Sequence, residues 1–315
     1  MFVICGEALW DLFAVETADA LTFDARIGGS SFNVAMALSR LGQKAALFTG
    51  ISTDRLGHRL VDALAREGVD TSLLIRTDRP STLSLVDVGP DGVPAYAFYG
   101  DEAADRFVTT ADLPALGPDV WGLHAGSYSI AVEPVGSSLL RLFEREAGRR
   151  LLVIDPNVRL AVQPERGLWR ERVERFVALC DLAKVSDEDL GLIYPGATAL
   201  EIANRWLEAG ARVVVITRGS GGAEAFRRGE QVAVPSLPVT VVDTVGAGDT
   251  FQGALIAGLA ERGIWSGPAL DRLDGGQVRS LLAFAGAAAA LTCTKRGADP
   301  PRRVELATWA TEDLA

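Results

Sequence analysis

Short, mainly apolar runs alternate with amphipathic segments along most of the chain, and this alternation constrains the fold more than any other feature. The apolar runs lie at residues 2–5, 45–48, 151–154, 182–185 and 213–216. Segments with helical spacing of apolar residues lie between them, at residues 56–67, 135–150 and 199–209. Strands that are buried on both faces of a parallel sheet are apolar throughout. The alternation therefore predicts an α/β, doubly wound core.

Two segments depart from this alternation and have the pattern of β-strands. Between residues 81 and 99, apolar residues alternate on either side of a Gly-Pro-Asp-Gly sequence at residues 89–92, which predicts a hairpin turn. Residues 12–27 also have strand character. We therefore predict a small β-sheet lid formed by residues 12–27 and 81–107. The remaining residues form the predicted core: 1–11, 28–80 and 108–315.

Charge and composition exclude several classes of partner. The 315 residues include 31 basic and 41 acidic side chains, a net charge of −10, which argues against a nucleic-acid or membrane-surface partner. No apolar run approaches the roughly 20 residues of a membrane span, and no signal-peptide pattern begins the sequence. Cys5, Cys180 and Cys293 are scattered without a CxxC pair, as is usual in a reducing compartment. We expect a cytoplasmic protein.

Several common catalytic motifs are absent from the sequence. Lys44, Lys184 and Lys295 follow Gln, Ala and Thr, so the Gly-Lys pair of a Walker A loop does not occur. The only histidines, His58 and His124, cannot form an HExxH metal site. The sequence also lacks the GxSxG of many hydrolases, and no GxGxxG follows the first strand. The chemistry must therefore depend on carboxylates, backbone amides and a soluble metal ion.

The strongest local signal is Asp-Thr-Val-Gly-Ala-Gly-Asp-Thr-Phe at residues 243–251. A β-branched segment precedes it and an apolar, helix-like segment follows, which places residues 246–249 at a helix N-terminus. Free N–H groups and the helix dipole favour an anion there, and glycine allows the anion a close approach. Asp249 suits two roles that spacing alone does not separate: a helix N-cap, or a base that accepts a proton from an attacking hydroxyl.

A second glycine-rich segment spans residues 28–42. Gly28 and Gly29 open a helix of small residues, and Gly42 ends it. Asn33 lies near the start of this helix, where its amide could hydrogen-bond a polyol. Taken alone, the segment is better explained by close helix packing.

Together the two segments resemble the two signature motifs of the PfkB (ribokinase-like) carbohydrate kinase family, and the resemblance covers essentially the whole chain. It includes Gly6, Glu7 and Asp11 at the first strand. It implies a ribokinase-like, three-layer α/β/α core with a mostly parallel central sheet and a small inserted β-sheet lid. It also implies transfer of the γ-phosphoryl group of ATP to a sugar hydroxyl, with Mg²⁺. Such a transfer requires positioning and charge stabilisation more than a strong base.

The resemblance also implies roles for individual residues. The implied catalytic residues are Asp249, as the general base, and Gly246, Ala247 and Gly248, whose amides form an anion hole. The implied sugar contacts in the first two segments are Asp11, Gly28, Gly29 and Asn33.

Two further segments lie at the ends of predicted strands. Asp-Pro-Asn-Val-Arg at residues 155–159 resembles the DPNxR of fructokinase-like members, which implies sugar-side contacts from Asn157 and Arg159. A proline turn with a solvated arginine is the alternative. Residues 217–222 resemble the nucleotide-phosphate turn of the family, although an ordinary β-turn would have a similar sequence. The implied ATP contacts in this turn are Thr217, Gly219 and Gly222.

Residues 184–189, Lys-Val-Ser-Asp-Glu-Asp, align with the metal-associated NxxE stretch of the family. Ser186 replaces the asparagine and Asp189 the glutamate, so either Glu188 or Asp189 could orient the hydrated Mg²⁺. A solvated acidic helix start is the alternative. Lys184 and Ser186 are further expected ATP contacts. The residues that correspond to a monovalent-cation (K⁺) site in several relatives are Asp243 and Val245, with backbone oxygens of residues 294–297.

Residues 96–106 resemble the lid strand and the following Ala-Asp segment of bacterial fructokinases. Phe98 could pack against a sugar or within the core, and Arg106 is a further candidate sugar contact. The resemblance favours D-fructose, phosphorylated at its 6-hydroxyl, over 2-keto-3-deoxygluconate, whose carboxylate would need Arg106 or Arg159. Ribokinase and nucleoside kinase activities are less favoured. A homodimer through the lid is expected, since such dimers are common in the family.

A sugar-binding regulator without catalytic activity, on the same fold, is the alternative from a different class. The intact Asp249 argues against it, whereas the replacement at Asp189 favours it. A dehydrogenase is a more distant alternative, because the dinucleotide-binding fingerprint is missing.

Overall fold

The computed structural model describes residues 1–16, 20–88 and 94–312. The strands in chain order are β1 (Phe2–Cys5), β2 (Leu9–Glu16), β3 (Leu21–Gly28), β4 (Ala45–Phe48), β5 (Gly50–Ser52), β6 (Ile75–Thr77), β7 (Leu83–Val88), β8 (Pro94–Tyr99), β9 (Gly122–Gly126), β10 (Leu151–Asp155), β11 (Leu182–Ser186), β12 (Val213–Thr217), β13 (Ala223–Arg227) and β14 (Glu230–Val234). The helices are α1 (Ser30–Arg40), α2 (Arg55–Arg66), α3 (Val135–Glu146), α4 (Arg166–Val177), α5 (Asp187–Ile193), α6 (Ala199–Ala209), α7 (Ala247–Glu261), α8 (Gly267–Leu270), α9 (Gly275–Cys293) and α10 (Arg303–Glu312). Within these ranges, none of the helices combines the length and apolarity needed to cross a membrane.

Eight strands form the central sheet, in the order β14-β13-β12-β11-β10-β9-β1-β4. Neighbouring strands from β12 to β4 run parallel, and β13 and β14 add an antiparallel edge. Apolar side chains of α1, α2, α7 and α9 cover one face of the sheet, and those of α3, α4 and α6 cover the other. The predicted three-layer α/β/α core is therefore confirmed.

The predicted strands match the sheet closely, except that His124 is predicted to end a strand, whereas β9 continues to Gly126. The runs at residues 2–5 and 45–48 coincide with β1 and β4, and the other three runs fall within β10, β11 and β12. β9 has no continuous apolar run, because glycines occupy both of its ends. A Cβ atom at Gly122 would lie 2.3 Å from the Phe2 ring, and one at Gly126 would lie 2.1 Å from the Asp155 carbonyl oxygen. Close packing in the middle of the sheet thus removes the pattern that marks a buried strand.

The lid is a separate four-stranded sheet, in the order β3-β2-β7-β8. β2 pairs with β7 in parallel, and the other two pairs are antiparallel. The predicted inserted β-sheet is therefore confirmed. The sheet reaches Leu9 and Gly28, slightly beyond the predicted lid segment at residues 12–27. The turn predicted at residues 89–92 lies outside the described residues.

Candidate active site

The predicted anion site lies at the N-terminus of α7, where the chain turns at Gly246. This residue has φ +76°, and a Cβ atom there would lie 2.5 Å from the Ala298 Cβ atom, so both the turn and the space require glycine. The N–H of Ala247 donates to the Thr244 carbonyl oxygen at 3.2 Å. The N–H of Gly248 has no hydrogen-bond partner in the part of the chain that the structure describes. Of these two predicted anion-hole amides, Gly248 is therefore the one open to an anion.

Asp249 lies in the first turn of α7, and only 8% of its surface is exposed. Its Oδ1 accepts hydrogen bonds from Ser30 Oγ at 2.6 Å and, more weakly, from Asn157 Nδ2 at 3.4 Å. Its Oδ2 accepts from Asn33 Nδ2 at 2.8 Å. The N-cap of α7 is Gly246 rather than Asp249, so the capping alternative is wrong. Side chains from α1 and from the loop after β10 instead meet at this carboxylate.

A cavity of about 570 Å³, here called the lid-side cavity, opens beside Asp249. The predicted sugar contacts that line it are Asp11, Gly29, Asn33, Phe98, Asn157 and Arg159. Lining residues that the sequence did not single out for a role are Glu7, Ser30, Tyr96, Ser127 and Tyr128. Glu7 and Ser30 adjoin residues of the motifs described above, so their position in the sequence could have identified them as residues of the site. Ser127 and Tyr128 follow β9, whose bounds the sequence did not predict.

Two of the predicted sugar contacts, Gly28 and Arg106, do not line the lid-side cavity. A Cβ atom at Gly28 would lie 2.1 Å from Asp11 Oδ2, so this glycine makes room for the Asp11 carboxyl group. The Arg106 guanidinium lies 3.2 Å from the Asp101 carboxylate and 5.3 Å from the centre of the Tyr128 ring. Both residues thus lie next to side chains that line the cavity: Gly28 next to Asp11, and Arg106 next to Tyr128.

The charges around the lid-side cavity are mainly acidic. Glu7, Asp11 and Asp249 are among its lining residues, and Arg159 is the only basic side chain among the described residues that line it. Burial raises the pKa of Asp11 to about 6, and the nearby Arg159 charge opposes this rise. Carboxylates and amides are the groups that accept and donate hydrogen bonds to hydroxyls. The cavity therefore suits a neutral, hydroxyl-rich ligand better than an anion.

A second cavity of about 810 Å³, here called the outer cavity, lies on the other side of the α7 N-terminus. All of the predicted ATP contacts line it: Lys184, Ser186, Thr217, Gly219 and Gly222. Its apolar lining includes Leu237, Val239, Val241, Phe251 and Ala289. The two cavities share the lining residues Asn157, Ser186, Glu188, Asp189, Thr244 and Gly248. They therefore adjoin at Gly248 of the GAGD segment, and the neighbouring Asp249 lines the lid-side cavity but not the outer one.

Lys184 forms a buried ion pair with Asp155 beside this junction. Its Nζ atom lies 2.7 Å from Asp155 Oδ2 and 3.4 Å from the carbonyl oxygen of Gly248. Burial raises the pKa of Asp155 to about 6, and the Lys184 charge opposes this rise. The pair keeps an ammonium group next to the predicted anion site.

The two candidate metal-orienting carboxylates differ in their surroundings. Asp189 is buried, and its carboxylate accepts hydrogen bonds from the Val158 N–H at 2.9 Å and from Ser186 Oγ at 2.8 Å. Glu188 is exposed and borders both cavities, and its side chain has no partner within the described ranges. No group of three or more His, Cys, Asp or Glu side chains among the described residues could hold a metal ion by itself. A hydrated metal ion that also contacts a bound substrate would fit these carboxylates better than an ion held by protein side chains alone.

The candidate monovalent-cation residues lie in a loop that the Asp243 carboxylate organises. Its Oδ1 accepts from the Val245 N–H at 3.0 Å, and its Oδ2 accepts from the Gly297 N–H at 2.8 Å. The carbonyl oxygen of Cys293 also accepts from the Asp243 N–H at 3.3 Å. The structure therefore brings together Asp243, Val245 and the segment of residues 294–297.

Comparisons with known proteins agree with this geometry. Residues 1–304 match the family described as "pfkB family carbohydrate kinase". A fructokinase from Rhizobium leguminosarum bv. trifolii is 42% identical over 260 residues, which cover 82% of this chain and 79% of that protein. The crystal structure of a fructokinase with bound ATP from Xylella fastidiosa superposes with a TM-score of 0.91 at 27% identity, covering 100% of this chain and 99% of that one. A Vibrio cholerae O395 fructokinase double mutant, in a form with fructose, ADP and potassium ion bound, superposes with a TM-score of 0.85 at 26% identity, covering 98% and 97% of the two chains. The fold, the site and these relatives agree: this chain belongs to the pfkB family of carbohydrate kinases.

Proposed function

We propose that this protein transfers the γ-phosphoryl group of ATP to the 6-hydroxyl of D-fructose, and that Asp249 acts as the general base. One observation carries the proposal: the Asp249 carboxylate lines the polar lid-side cavity, and the adjacent Gly248 also lines the second cavity, which contains the nucleotide turn. The relatives named above are fructokinases, one with ATP bound and one with fructose and ADP bound.

The proposed reaction requires few covalent steps from the protein. Asp249 accepts the proton of the sugar hydroxyl as its oxygen forms a bond to the γ-phosphorus atom. The bond between that phosphorus and the bridging oxygen breaks, and ADP leaves with the electron pair. The free N–H of Gly248, with the amide of Gly246 at the same helix start, would stabilise the charge on the transferred group, whereas the N–H of Ala247 donates to the Thr244 carbonyl oxygen.

The nucleotide contacts follow from the outer cavity. Thr217, Gly219 and Gly222 line the turn after β12, and Ser186 begins α5. Lys184 adds the positive charge that a chain without a Walker A lysine otherwise lacks. Apolar residues around Leu237 and Ala289 would receive the adenine ring.

Mg²⁺ fits the acidic start of α5. The unpaired Glu188 carboxylate would orient the hydrated ion, whereas Asp189 is bonded to Ser186 and Val158 and would support that position. The ion would neutralise charge on the phosphates. We therefore expect Glu188→Gln to raise the Mg²⁺ concentration needed for half-maximal activity more than Asp187→Asn does. An equal effect of the two substitutions would argue against this assignment.

A monovalent cation such as K⁺ fits the loop that contains Asp243, Val245 and Gly297, because carboxylate and carbonyl oxygens are available there. Binding would stabilise the turn into α7. We expect that replacing K⁺ by a bulky organic cation at constant ionic strength lowers kcat. Unchanged turnover would remove the cation from the proposal.

Fructose is favoured over a sugar acid by the charges of the lid-side cavity. A keto acid would place its carboxylate near Asp11 and Glu7, with only Arg159 to compensate. Arg106, the other candidate cation, does not line the cavity. Asp11, Gly29, Asn33, Phe98 and Asn157 would then contact the hydroxyls and the apolar face of the sugar.

The test is sugar-dependent release of ADP from Mg²⁺-ATP, with fructose, 2-keto-3-deoxygluconate, ribose, tagatose and adenosine as acceptors. We expect the highest kcat/KM with fructose. Preference for the keto acid would overturn the assigned acceptor but retain the reaction. Binding without ADP release by any acceptor would instead support a regulator on this fold.

We also propose a cytoplasmic homodimer that assembles through the lid. The three cysteines are unpaired, as is usual in a reducing compartment. The lid exposes large apolar side chains: Leu21 (62%), Tyr99 (63%), Val15 (45%), Phe23 (45%) and Tyr96 (41%). A second copy of the lid would cover them. Sedimentation equilibrium should give twice the monomer mass, and Leu21→Glu should lower it. A monomer at all concentrations would contradict this proposal.

A further inference from the structure

Ser30 makes the shortest hydrogen bond to the Asp249 carboxylate. Its Oγ lies 2.6 Å from Asp249 Oδ1, compared with 2.8 Å for the Asn33 bond and 3.4 Å for the Asn157 bond. Ser30 is the first residue of α1 and Asp249 lies in the first turn of α7, and 219 residues separate them in sequence. Hydrogen bonds to an ionised group are short and strong compared with neutral ones. This contact therefore joins the starts of two helices at the carboxylate.

Ser30 is itself held in place by Glu7. The Ser30 N–H donates to Glu7 Oε1 at 3.0 Å, and Glu7 Oε2 accepts from Ser129 Oγ at 2.7 Å. Only 1% of Glu7 is exposed, and burial raises its pKa. The preceding Gly29 has φ +99°, and a Cβ atom there would lie 2.9 Å from the Glu7 carbonyl oxygen. The start of α1 therefore cannot shift without breaking bonds to a buried carboxyl group.

The three side chains that donate hydrogen bonds to Asp249 differ in the other contacts that they can make. Asn33 and Asn157 carry amides that both donate and accept, and both line the cavity where hydroxyls of the acceptor would bind. Ser30 and Asn33 lie three residues apart, on one face of the first turn of α1, so they hold the two oxygens of the carboxylate from the same side. Ser30 is the donor to Oδ1 at short range, whereas Asn157 approaches the same oxygen at 3.4 Å, so Ser30 contributes most to fixing the orientation of this oxygen.

We propose that Ser30, anchored by Glu7, is a positioning residue that orients the Asp249 carboxylate toward the acceptor hydroxyl. This inference rests on the proposed function, in which Asp249 is the base. Misplacement of a reacting group by about 1 Å can lower a rate by roughly 10²-fold. Removal of the Ser30 hydroxyl should therefore lower kcat about 10- to 100-fold and leave the KM values for sugar and ATP within about twofold.

The test compares Ser30→Ala with Ser31→Ala as a matched control. Ser31 is the next residue of α1 and is fully buried, but its Oγ donates to the Cys5 carbonyl oxygen at 3.2 Å instead of to Asp249. We expect Ser31→Ala to retain kcat. Ser30→Cys fills the serine site with a weak donor and should lose kcat as Ser30→Ala does, which provides a second variant if the alanine protein does not fold.

A double-mutant cycle with Asp249→Asn isolates the coupling. Ser30→Ala should have no further effect on kcat in the Asp249→Asn protein, because the group that it orients has lost its function. Three outcomes would overturn the inference: wild-type kcat in Ser30→Ala, equal losses in Ser30→Ala and Ser31→Ala, or multiplying effects in the double variant. A rise in the sugar KM at constant kcat would instead make Ser30 a sugar contact, which also overturns it. Wild-type turnover in Asp249→Asn would defeat the proposed function itself, so the two failures are distinguishable.

Discussion

The lid-side and outer cavities meet at one helix start, but they are built from different parts of the polypeptide. The lid-side cavity has carboxylates, amides, a guanidinium and aromatic rings among its lining groups. The outer cavity combines glycines of the turn after β12 with aliphatic side chains. Recognition therefore depends on side-chain chemistry on one side and on backbone shape on the other. Substitutions that add volume at the glycine turn should act on the outer cavity, whereas changes of charge should affect both cavities, since Lys184 lines the outer one.

The largest effect should come from Asp249, which lines the lid-side cavity next to Gly248, a residue that the two cavities share. Asp249→Asn keeps the size of the side chain and removes the base, so kcat should fall about 10²- to 10⁴-fold. The KM values for both substrates should change far less, because the substitution leaves the shape of both cavities unchanged. Steady-state kinetics against each substrate would measure this. If kcat stayed near wild type, Asp249 would have no part in the proton transfer.

The next effect should be confined to the outer cavity. Gly222 has φ +90°, and a Cβ atom there would lie 2.1 Å from the Val234 carbonyl oxygen. Strain of this kind is of order 1–3 kcal/mol, so Gly222→Ala should raise the KM for ATP about 5- to 100-fold. Gly221→Ala is the control, because its added Cβ would approach only the Arg218 side chain, at 3.1 Å. A rise in the sugar KM of the Gly222→Ala variant would contradict the division between the cavities.

A pH effect on sugar binding should come from Asp11 in the lid-side cavity. Burial raises the pKa of Asp11 from an ordinary value of 3.8 to about 6, so its carboxylate is lost as the pH falls through 6. The sugar KM should rise about tenfold between pH 7 and pH 5. The KM for ATP is not a control here, because the pKa of Asp155, the partner of Lys184, is also raised to about 6. Asp11→Asn should have a higher sugar KM that no longer depends on pH.

The sign of the linkage separates this pH effect from unfolding. Because the pKa of Asp11 is higher in the folded protein than in the unfolded chain, protonation of Asp11 favours the folded state. The contribution of this group to stability therefore increases as the pH falls from about 6 toward 3.8. A loss of sugar affinity over that range, with thermal unfolding unchanged or at higher temperature, would identify the binding effect. An identical pH profile in Asp11→Asn would assign it to another group.

The smallest effect should come from the lid. Phe98 lines the lid-side cavity, and its ring lies 6.0 Å from that of Tyr128 in an edge-to-face arrangement. Such pairs contribute about 0.5–1.5 kcal/mol, so Phe98→Leu should raise the sugar KM roughly two- to tenfold. The KM for ATP in the same protein serves as the internal control. An equal rise in both constants would mean that the lid acts on the two cavities together.

Local patterns were sufficient to predict most of the core. The helix predicted at residues 199–209 coincides with α6, because its apolar spacing and its Thr198 capping box are both local signals. β9 was indicated only by His124, as the end of a strand, and its bounds were not predicted because the requirement for glycine at residues 122 and 126 comes from neighbouring strands. A constraint that arises from distant parts of the chain leaves little trace in the segment itself.

In the candidate site, too, local features could be predicted from the sequence and contacts between distant residues could not. The start of α7 could be predicted, since the glycines and Asp249 lie within four residues. The Ser30–Asp249 contact joins residues 219 positions apart, and nothing in either segment indicates the other. Arg106 follows the lid strand in sequence, which suggested a sugar contact. In the fold it packs over Tyr128, because the turn at Ala104–Arg106 leaves the lid sheet and returns to the core.

The order of the lid strands has a consequence for folding. Each half of the lid is a hairpin, and a hairpin alone is marginally stable in water. Among the described lid residues, the two halves join through β2 and β7, with pairs such as Trp10 and Leu83, and the intervening chain includes α1, β4 and α2. The lid can therefore assemble only after this part of the core has brought its halves together. Its amide hydrogens should exchange with solvent by local opening, ahead of those in the central sheet. A substitution that destabilises α2 should accordingly lower the affinity for the sugar under conditions in which the protein is still folded.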